Sequence, residues 1–162
     1  DRNLEKIEQL QNDASRMGIR IIKATQANGE LPLSAEYHNQ FDAVFVDAPC
    51  SGTGTLRRNP EIKWRLQSGD IDRHAGTQNS ILRNAAAAVA PHGILVYATC
   101  SLLSRENDGV VRQFLADCPH FRLCPPDSPA VQNLTDPHGI FRTYPHRHSM
   151  DGFFGAVFRR RI

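Results

Sequence analysis

Two apolar, largely β-branched runs constrain this chain more than anything else in it. Phe41 to Val46 leads into Asp47-Ala48-Pro49-Cys50-Ser51-Gly52-Thr53-Gly54, and Ile94 to Tyr97 leads into Ala98-Thr99-Cys100-Ser101. Both read as strands that give way to loops at a Cys-Ser pair. If the strands are parallel neighbours, both thiols lie at the same sheet edge, where open α/β sheets place their ligands. Either cysteine alone reads most simply as a small core residue, since unpaired cysteine is among the most buried residue types. Two Cys-Ser strand ends, one with a carboxylate three residues upstream, shift the balance toward chemistry.

The rest of the chain supplies the layers such a sheet needs. Leu4, Ile7, Leu10, Ala14 and Met17 recur at helical spacing up to Gly18, and Ile19 to Ile22 reads as a short strand. Asn28-Gly29 and Pro32 mark a loop to about Asn39. Phe41 to Val46, apolar almost throughout, is expected to be buried on both faces and so to be parallel. A short helix is expected over Pro60 to Arg65 with Asn59 as its cap, and a longer one from Ile71 to Ala90, stopped by Pro91-His92-Gly93. Ser104 is the expected cap of a helix with Val110, Val111, Phe114, Leu115 and Cys118 on its buried stripe. Phe121 to Cys124 and Gly152 to Phe158 read as strands, and Pro125 to Pro137 as an exposed loop. Helices alternating with strands give an α/β class with a mostly parallel sheet.

With 162 residues, 40% hydrophobic and 22% charged, this is most simply one soluble domain. No run reaches the length of a membrane span and no signal peptide is visible, so a cytosolic site is expected. Four cysteines lacking any Cys-x-x-Cys spacing argue against a disulfide framework or a zinc site. His146 and His148 lack a third and fourth metal ligand at a sensible spacing. A net charge of +2 leaves nucleic acid open. Locally, Arg57, Arg58, Lys63 and Arg65 cluster around Trp64 beside the Cys50 loop, as a groove for a phosphate backbone and a splayed base requires; a solvated helix face is the plainer alternative. Arg142, His146, Arg147 and His148 extend this patch, whereas Arg159 to Arg161 read as solubilising an end.

The chemistry that suits these residues is nucleophilic addition. A thiolate adds to an electron-poor unsaturated carbon, a second group helps reverse the addition, and a carboxylate such as Asp47 hydrogen-bonds an exocyclic amine or a protonated ring nitrogen. Pro49 fixes the backbone just before Cys50.

At this point DAPCSGTG, RRNPEIKW, GILVYATCSLLSREN and the terminal DGFF resemble, in order, motifs of the Sun/Fmu-type, or NOL/NOP/Sun, RNA cytosine-5 methyltransferases. The resemblance implies a Rossmann-like class I methyltransferase sheet, mostly parallel with an antiparallel C-terminal strand. It implies S-adenosylmethionine as cofactor and RNA as substrate, ribosomal RNA ahead of transfer RNA. Cys100 would attack C6 of cytosine, Cys50 would help release the methylated product, and Asp47 would hydrogen-bond the base. Asp1, Asn28, Asp47 and Pro49 fall at cofactor positions, Asn28 standing where the family usually has an acid. Arg57, Arg58, Lys63 and Arg65 fall on the substrate side, Lys63 in the family's Pro-x-Ile-Lys segment. Gln78 and Asn107 lie near the site by the family pattern, with solvent exposure or helix capping equally open.

The resemblance also implies that residues 1 to 162 are the C-terminal part of a catalytic domain, from the end of its second strand onward. The first strand and helix, the Gly-rich cofactor loop and an N-terminal RNA-binding region would be missing. The chain by itself is therefore expected to be inactive and to bind S-adenosylmethionine weakly or not at all; low-micromolar binding by calorimetry would refute this. With that first strand absent, the first helix and strand are expected to pack abnormally or to borrow a partner chain. Two other readings compete: a non-catalytic RNA-binding or ribosome-assembly module of the same fold, and a thiol redox protein using Cys50 and Cys100.

Overall fold

The computed structural model describes residues 1 to 162. Asn3 caps the first helix, α1 (Leu4–Arg16), by accepting from the Glu5 and Lys6 backbone N–H groups, and Gly18 ends the segment at φ +71°. Of its expected apolar stripe only Ile7 and Ala14 are buried; Leu4, Leu10 and Met17 are exposed. The strand expected at Ile19 to Ile22 does not form, and Ile21 is 94% exposed. Strand-forming residues need a neighbour to receive their backbone hydrogen bonds, and no strand of the sheet lies beside this segment.

Five strands build one sheet: β1 (Phe41–Asp47), β2 (Val89–Thr99), β3 (Phe121–Cys124), β4 (Phe141–Arg142) and β5 (Phe154–Arg160). The order is β1-β2-β5-β3, with β4 also paired to β5. β1 runs parallel to β2, while β5 is antiparallel to β2, β3 and β4. Four strands therefore share one direction and only the C-terminal strand opposes them, as expected. β1 is an edge strand and not the doubly buried one foreseen: Phe41 is exposed and Phe45 is 66% exposed. An apolar run reports affinity for burial without reporting whether a second layer is there to bury it.

The helices are α2 (Ile62–Arg65), α3 (Ser68–Ala86), α4 (Asp108–Asp117), α5 (Pro129–Gln132) and α6 (Pro145–His148). α3 starts in a capping box between Gln67 and Asp70. It ends four residues before the expected Ala90, because Ala87 and Ala88 tighten into i→i+3 hydrogen bonds and Val89 pairs with Phe41. Asn59 does not cap α2; Glu61 occupies that position, and Asn59 donates to the Thr55 hydroxyl. α4 begins at Asp108, so Ser104 lies in the preceding turn, its carbonyl accepting from Asn107 and Gly109. α5 interrupts the stretch read as loop.

Helix α3 packs on α4, β1 and β2. Leu82 and Ala86 of α3, Val110, Val111 and Phe114 of α4, Leu95 and Tyr97 of β2, and Phe154, Ala156 and Phe158 of β5 form one buried cluster. Burial of this order, at about 25 cal/mol per Å² of apolar surface, drives the fold. It also fixes where β1 and β2 end, and those two ends carry the cysteines. Arg159 and Arg160 are not a solubilising tail: they continue β5, Arg159 donating to the His92 carbonyl and Arg160 to Asn39 and the Val89 carbonyl. No helix is long and apolar enough to cross a membrane.

Candidate active site

Parallel pairing places Asp47 opposite Ala98, so the two strands end in step. Past them the Cys50 and Cys100 sulfurs lie 3.2 Å apart, in hydrogen-bonding contact. Both thiols are half-buried and free. The contact makes them unlike. Donation from Cys50 lowers the Cys100 pKa to about 7, outweighing partial burial and the negative charges of Asp47 and Glu106. Holding that hydrogen bond to Cys100, with burial added, pushes the Cys50 thiol well above the ordinary range. On this contact Cys100 is the thiol that ionises more readily and Cys50 the one that holds its proton more firmly.

Several buried polar groups hold the two loops together. Glu106 is 0% exposed and accepts from the Ser51 backbone N–H at 2.8 Å, from Gln78 Nε2 at 3.1 Å, and from the hydroxyls of Ser51 and Ser101. Gln78 also donates to the Pro49 carbonyl at 2.8 Å. Asn107 accepts from the Thr99 hydroxyl at 2.7 Å and donates to the Ser101 carbonyl at 2.8 Å. Buried Tyr97, its own pKa raised by burial and by Glu106, donates to the Glu106 carbonyl at 2.6 Å. Gln78 and Asn107, left open between exposure and function, are buried within this network.

A second clamp closes from the end of the chain. The Gly54 backbone N–H donates to the Cys100 carbonyl, and the Gly152 N–H donates to the Gly54 carbonyl, each at 2.8 Å. Next to Gly152, Asp151 is 4% exposed and pairs with Arg58, whose Nε donates at 2.6 Å, and with Arg57 at 3.6 Å. Arg57 and Arg58 are therefore held to the site's wall, although both guanidinium side chains remain mostly open to solvent.

Lys63 and Arg65 lie on exposed α2, with Lys63 Nζ 4.9 Å from the centroid of the Trp64 ring, which is 80% exposed. An exposed aromatic face beside cations has the shape and charge to stack a nucleobase and meet its phosphate. Arg142, placed in the wider basic patch by the sequence, is instead paired with Asp108 and Asp136. His148 accepts from the Tyr144 N–H through Nδ1.

The expected cofactor residues fall in two groups. Asp47 and Pro49 are exposed at the end of β1. Asp1 accepts from Asn3 N–H and its carbonyl from Ala27 N–H, which brings it to the turn where Asn28 accepts from Glu30. Helix α3 touches both groups: Thr77 donates to Glu30, Asn84 to the Gly29 carbonyl, and Gln78 to Pro49. Two exposed carboxylates and the Asn28 amide suit a ligand bearing hydroxyls and an amine.

The chain matches the model of the family described as 16S rRNA methyltransferase RsmB/F over residues 1 to 159. It belongs to that family. The probable ribosomal RNA small subunit methyltransferase B of Bacillus subtilis (strain 168) is 34% identical over 167 residues, covering 99% of this chain and 37% of the relative. Ribosomal RNA small subunit methyltransferase B of Klebsiella pneumoniae (strain 342) is 36% identical over 160 residues, covering 97% and 35%. The crystal structure of PH0851 superposes with a TM-score of 0.89 at 36% identity, over 99% of this chain and 36% of the other. NSun6 from Pyrococcus horikoshii with SFG gives 0.78 at 23% identity, over 99% and 40%, a likeness of fold. This RsmB/F chain thus spans a little over a third of the length of the relatives it matches.

The sequence had brought Cys50, Cys100 and Asp47 into view, but not Glu106 or Asp151. Glu106 reads as one more polar residue before a helix, and Asp151 as one more acid before a glycine. Their only signal is company: each sits inside a stretch that carries the family resemblance, SREN and DGFF.

Proposed function

We propose that this chain carries the covalent chemistry of an S-adenosylmethionine-dependent RNA cytosine-5 methyltransferase acting on ribosomal RNA. The observation that supports it most is the 3.2 Å contact between the Cys50 and Cys100 sulfurs at the ends of two parallel strands. Family membership supplies methyl transfer and ribosomal RNA as the context. S-adenosylmethionine, when bound, supplies an electrophilic methyl group; Asp1, Asn28, Asp47 and Pro49 are the residues that would hold it.

In this reading the Cys100 sulfur forms a bond to C6 of a cytosine turned out of the RNA strand. The electron pair of the C5–C6 double bond then makes C5 nucleophilic. Asp47 accepts a hydrogen bond from the base's exocyclic amine and orients the ring. Cys50 acts in the reverse direction: once C5 is methylated, a water takes the C5 proton, the electron pair re-forms the C5–C6 double bond as the S–C6 bond breaks, and the Cys50 thiol donates a hydrogen bond to the departing Cys100 thiolate. Trp64, Lys63 and Arg65 receive a neighbouring base and its phosphate, with Arg57 and Arg58 lining the wall between.

Covalent trapping tests the assignment. Cys50→Ala in the full-length enzyme, incubated with ribosomal RNA and S-adenosylmethionine, accumulates a protein–RNA complex that survives denaturing electrophoresis. Its adduct forms several-fold more slowly at pH 7.5, because Cys100 loses the hydrogen-bond donor that lowers its pKa. Cys50→Ala/Cys100→Ala forms no complex. If Cys50→Ala releases RNA as the unaltered protein does, the two-thiol reaction is wrong.

A further inference from the structure

We propose that Glu106 is a positioning residue for the two-thiol reaction, its buried carboxylate setting the separation of the Cys50 and Cys100 sulfurs. The proposal rests on the reading of these cysteines as release group and nucleophile.

Ser51 and Ser101 are the residues immediately after the two cysteines, and both are hydrogen-bonded to this one carboxylate. Oε1 receives two donors that cannot reverse, the Ser51 backbone N–H and Gln78 Nε2; Oε2 receives two hydroxyls, which can. The carboxylate is itself fixed from behind. Tyr97 holds the Glu106 carbonyl and the Leu103 carbonyl holds its N–H. A shift of Glu106 therefore moves both Cys-Ser loops, and a 3.2 Å contact between sulfurs leaves little tolerance.

Stability alone does not call for a carboxylate here. Burying one is costly, and apolar residues of similar volume commonly serve a core as well or better. What an apolar side chain cannot do is hold two hydroxyls and a backbone N–H at fixed positions on either side of a pair of thiols. The charge also comes with a disadvantage, since it raises the Cys100 pKa, as does Asp47 at the end of β1. Cys50 is the one neighbouring side chain that lowers it, so Glu106 helps the thiolate only by keeping Cys50 in contact.

That difference in sign gives the test, made on the full chain by following iodoacetamide alkylation of Cys100 against pH, with the modified residue identified by mass spectrometry. The unaltered protein is expected to reach half its maximal rate near pH 7. Glu106→Ala moves this midpoint up toward the ordinary thiol value of about 8.5. Glu106→Gln returns it to the unaltered value or slightly below, because the amide carbonyl keeps the two fixed donors, the hydroxyls turn to accept, and the negative charge is gone. In a Cys50→Ala background, Glu106→Ala produces no upward shift. An unmoved midpoint in Glu106→Ala, or an equal rise with and without Cys50, overturns the proposal. Should Glu106→Ala not fold, Ser51→Ala/Ser101→Ala serves instead: its midpoint rises too, and an unshifted one overturns the proposal equally. Alkylation requires neither RNA nor methyl transfer, so failure of the trapping experiment leaves this result to be judged by itself.

Discussion

Replacing Gly54 with alanine abolishes the site without touching a reactive group. A Cβ at this position would lie 1.9 Å from the Gly152 carbonyl oxygen and 2.8 Å from that of Cys100. Both obstacles are backbone, so no rotamer change relieves them. Either the Cys100 strand end or the Asp151-Gly152 turn must retreat, and both hydrogen bonds through Gly54 are lost with it. Overpacking of this kind costs about 1 to 3 kcal/mol, and the immovable neighbours place Gly54→Ala at the upper end. The catalytic loss is larger, because misplacement of reacting groups by about 1 Å costs roughly a hundredfold. Methyl transfer by Gly54→Ala is expected to fall more than a hundredfold, and the Cys100 alkylation midpoint to leave pH 7. Transfer within tenfold of the unaltered protein would show that this close approach is not needed.

The largest effect on stability is expected at Phe158. It is 0% exposed on β5, stands opposite Leu95 of β2 and Leu123 of β3, and its ring centroid is 4.7 Å from that of Phe114 on α4. Phe158→Ala removes a ring from the junction of three strands and a helix, at a cost of about 3 to 5 kcal/mol. Against the usual 5 to 15 kcal/mol of a domain this is a large share. In urea denaturation the midpoint should fall sharply with little change in slope. Phe45→Ala on exposed β1 serves as the control, with an effect within about 0.5 kcal/mol. Equal losses from the two would mean that the centre of packing lies elsewhere.

What the sequence revealed and what it hid follow from how each residue earns its place. The Val110, Val111 and Phe114 stripe and the two apolar strands were visible because burial repeats with the period of the element. The ends of elements were less visible. Val89 has the same apolar character whether it closes a helix or opens a strand, and its pairing with Phe41, whose N–H donates to the Ala88 carbonyl, decides the matter. Ile19 to Ile22 has strand composition but no neighbouring strand to pair with. In the site, Cys50 and Cys100 were found because thiols at matched strand ends are unusual. Glu106 was not, since a carboxylate that accepts four hydrogen bonds in the interior has the same letter as one in water. Arg160 misled for a similar reason, its run of three arginines concealing a side chain that reaches back to Val89.

The position of β5 has a consequence for how the molecule comes into being. The last strand of the chain lies between β2 and β3, and the turn just before it supplies Gly152 and Asp151 to the Cys50 loop. During synthesis, α3, β2 and α4 leave the ribosome well before their central partner exists. The two Cys-Ser loops are then tethered on the Glu106 side only. That second clamp thus closes only when β5 joins the sheet, so a nascent chain stalled before Phe154 would hold both thiols with the Gly54 side still open.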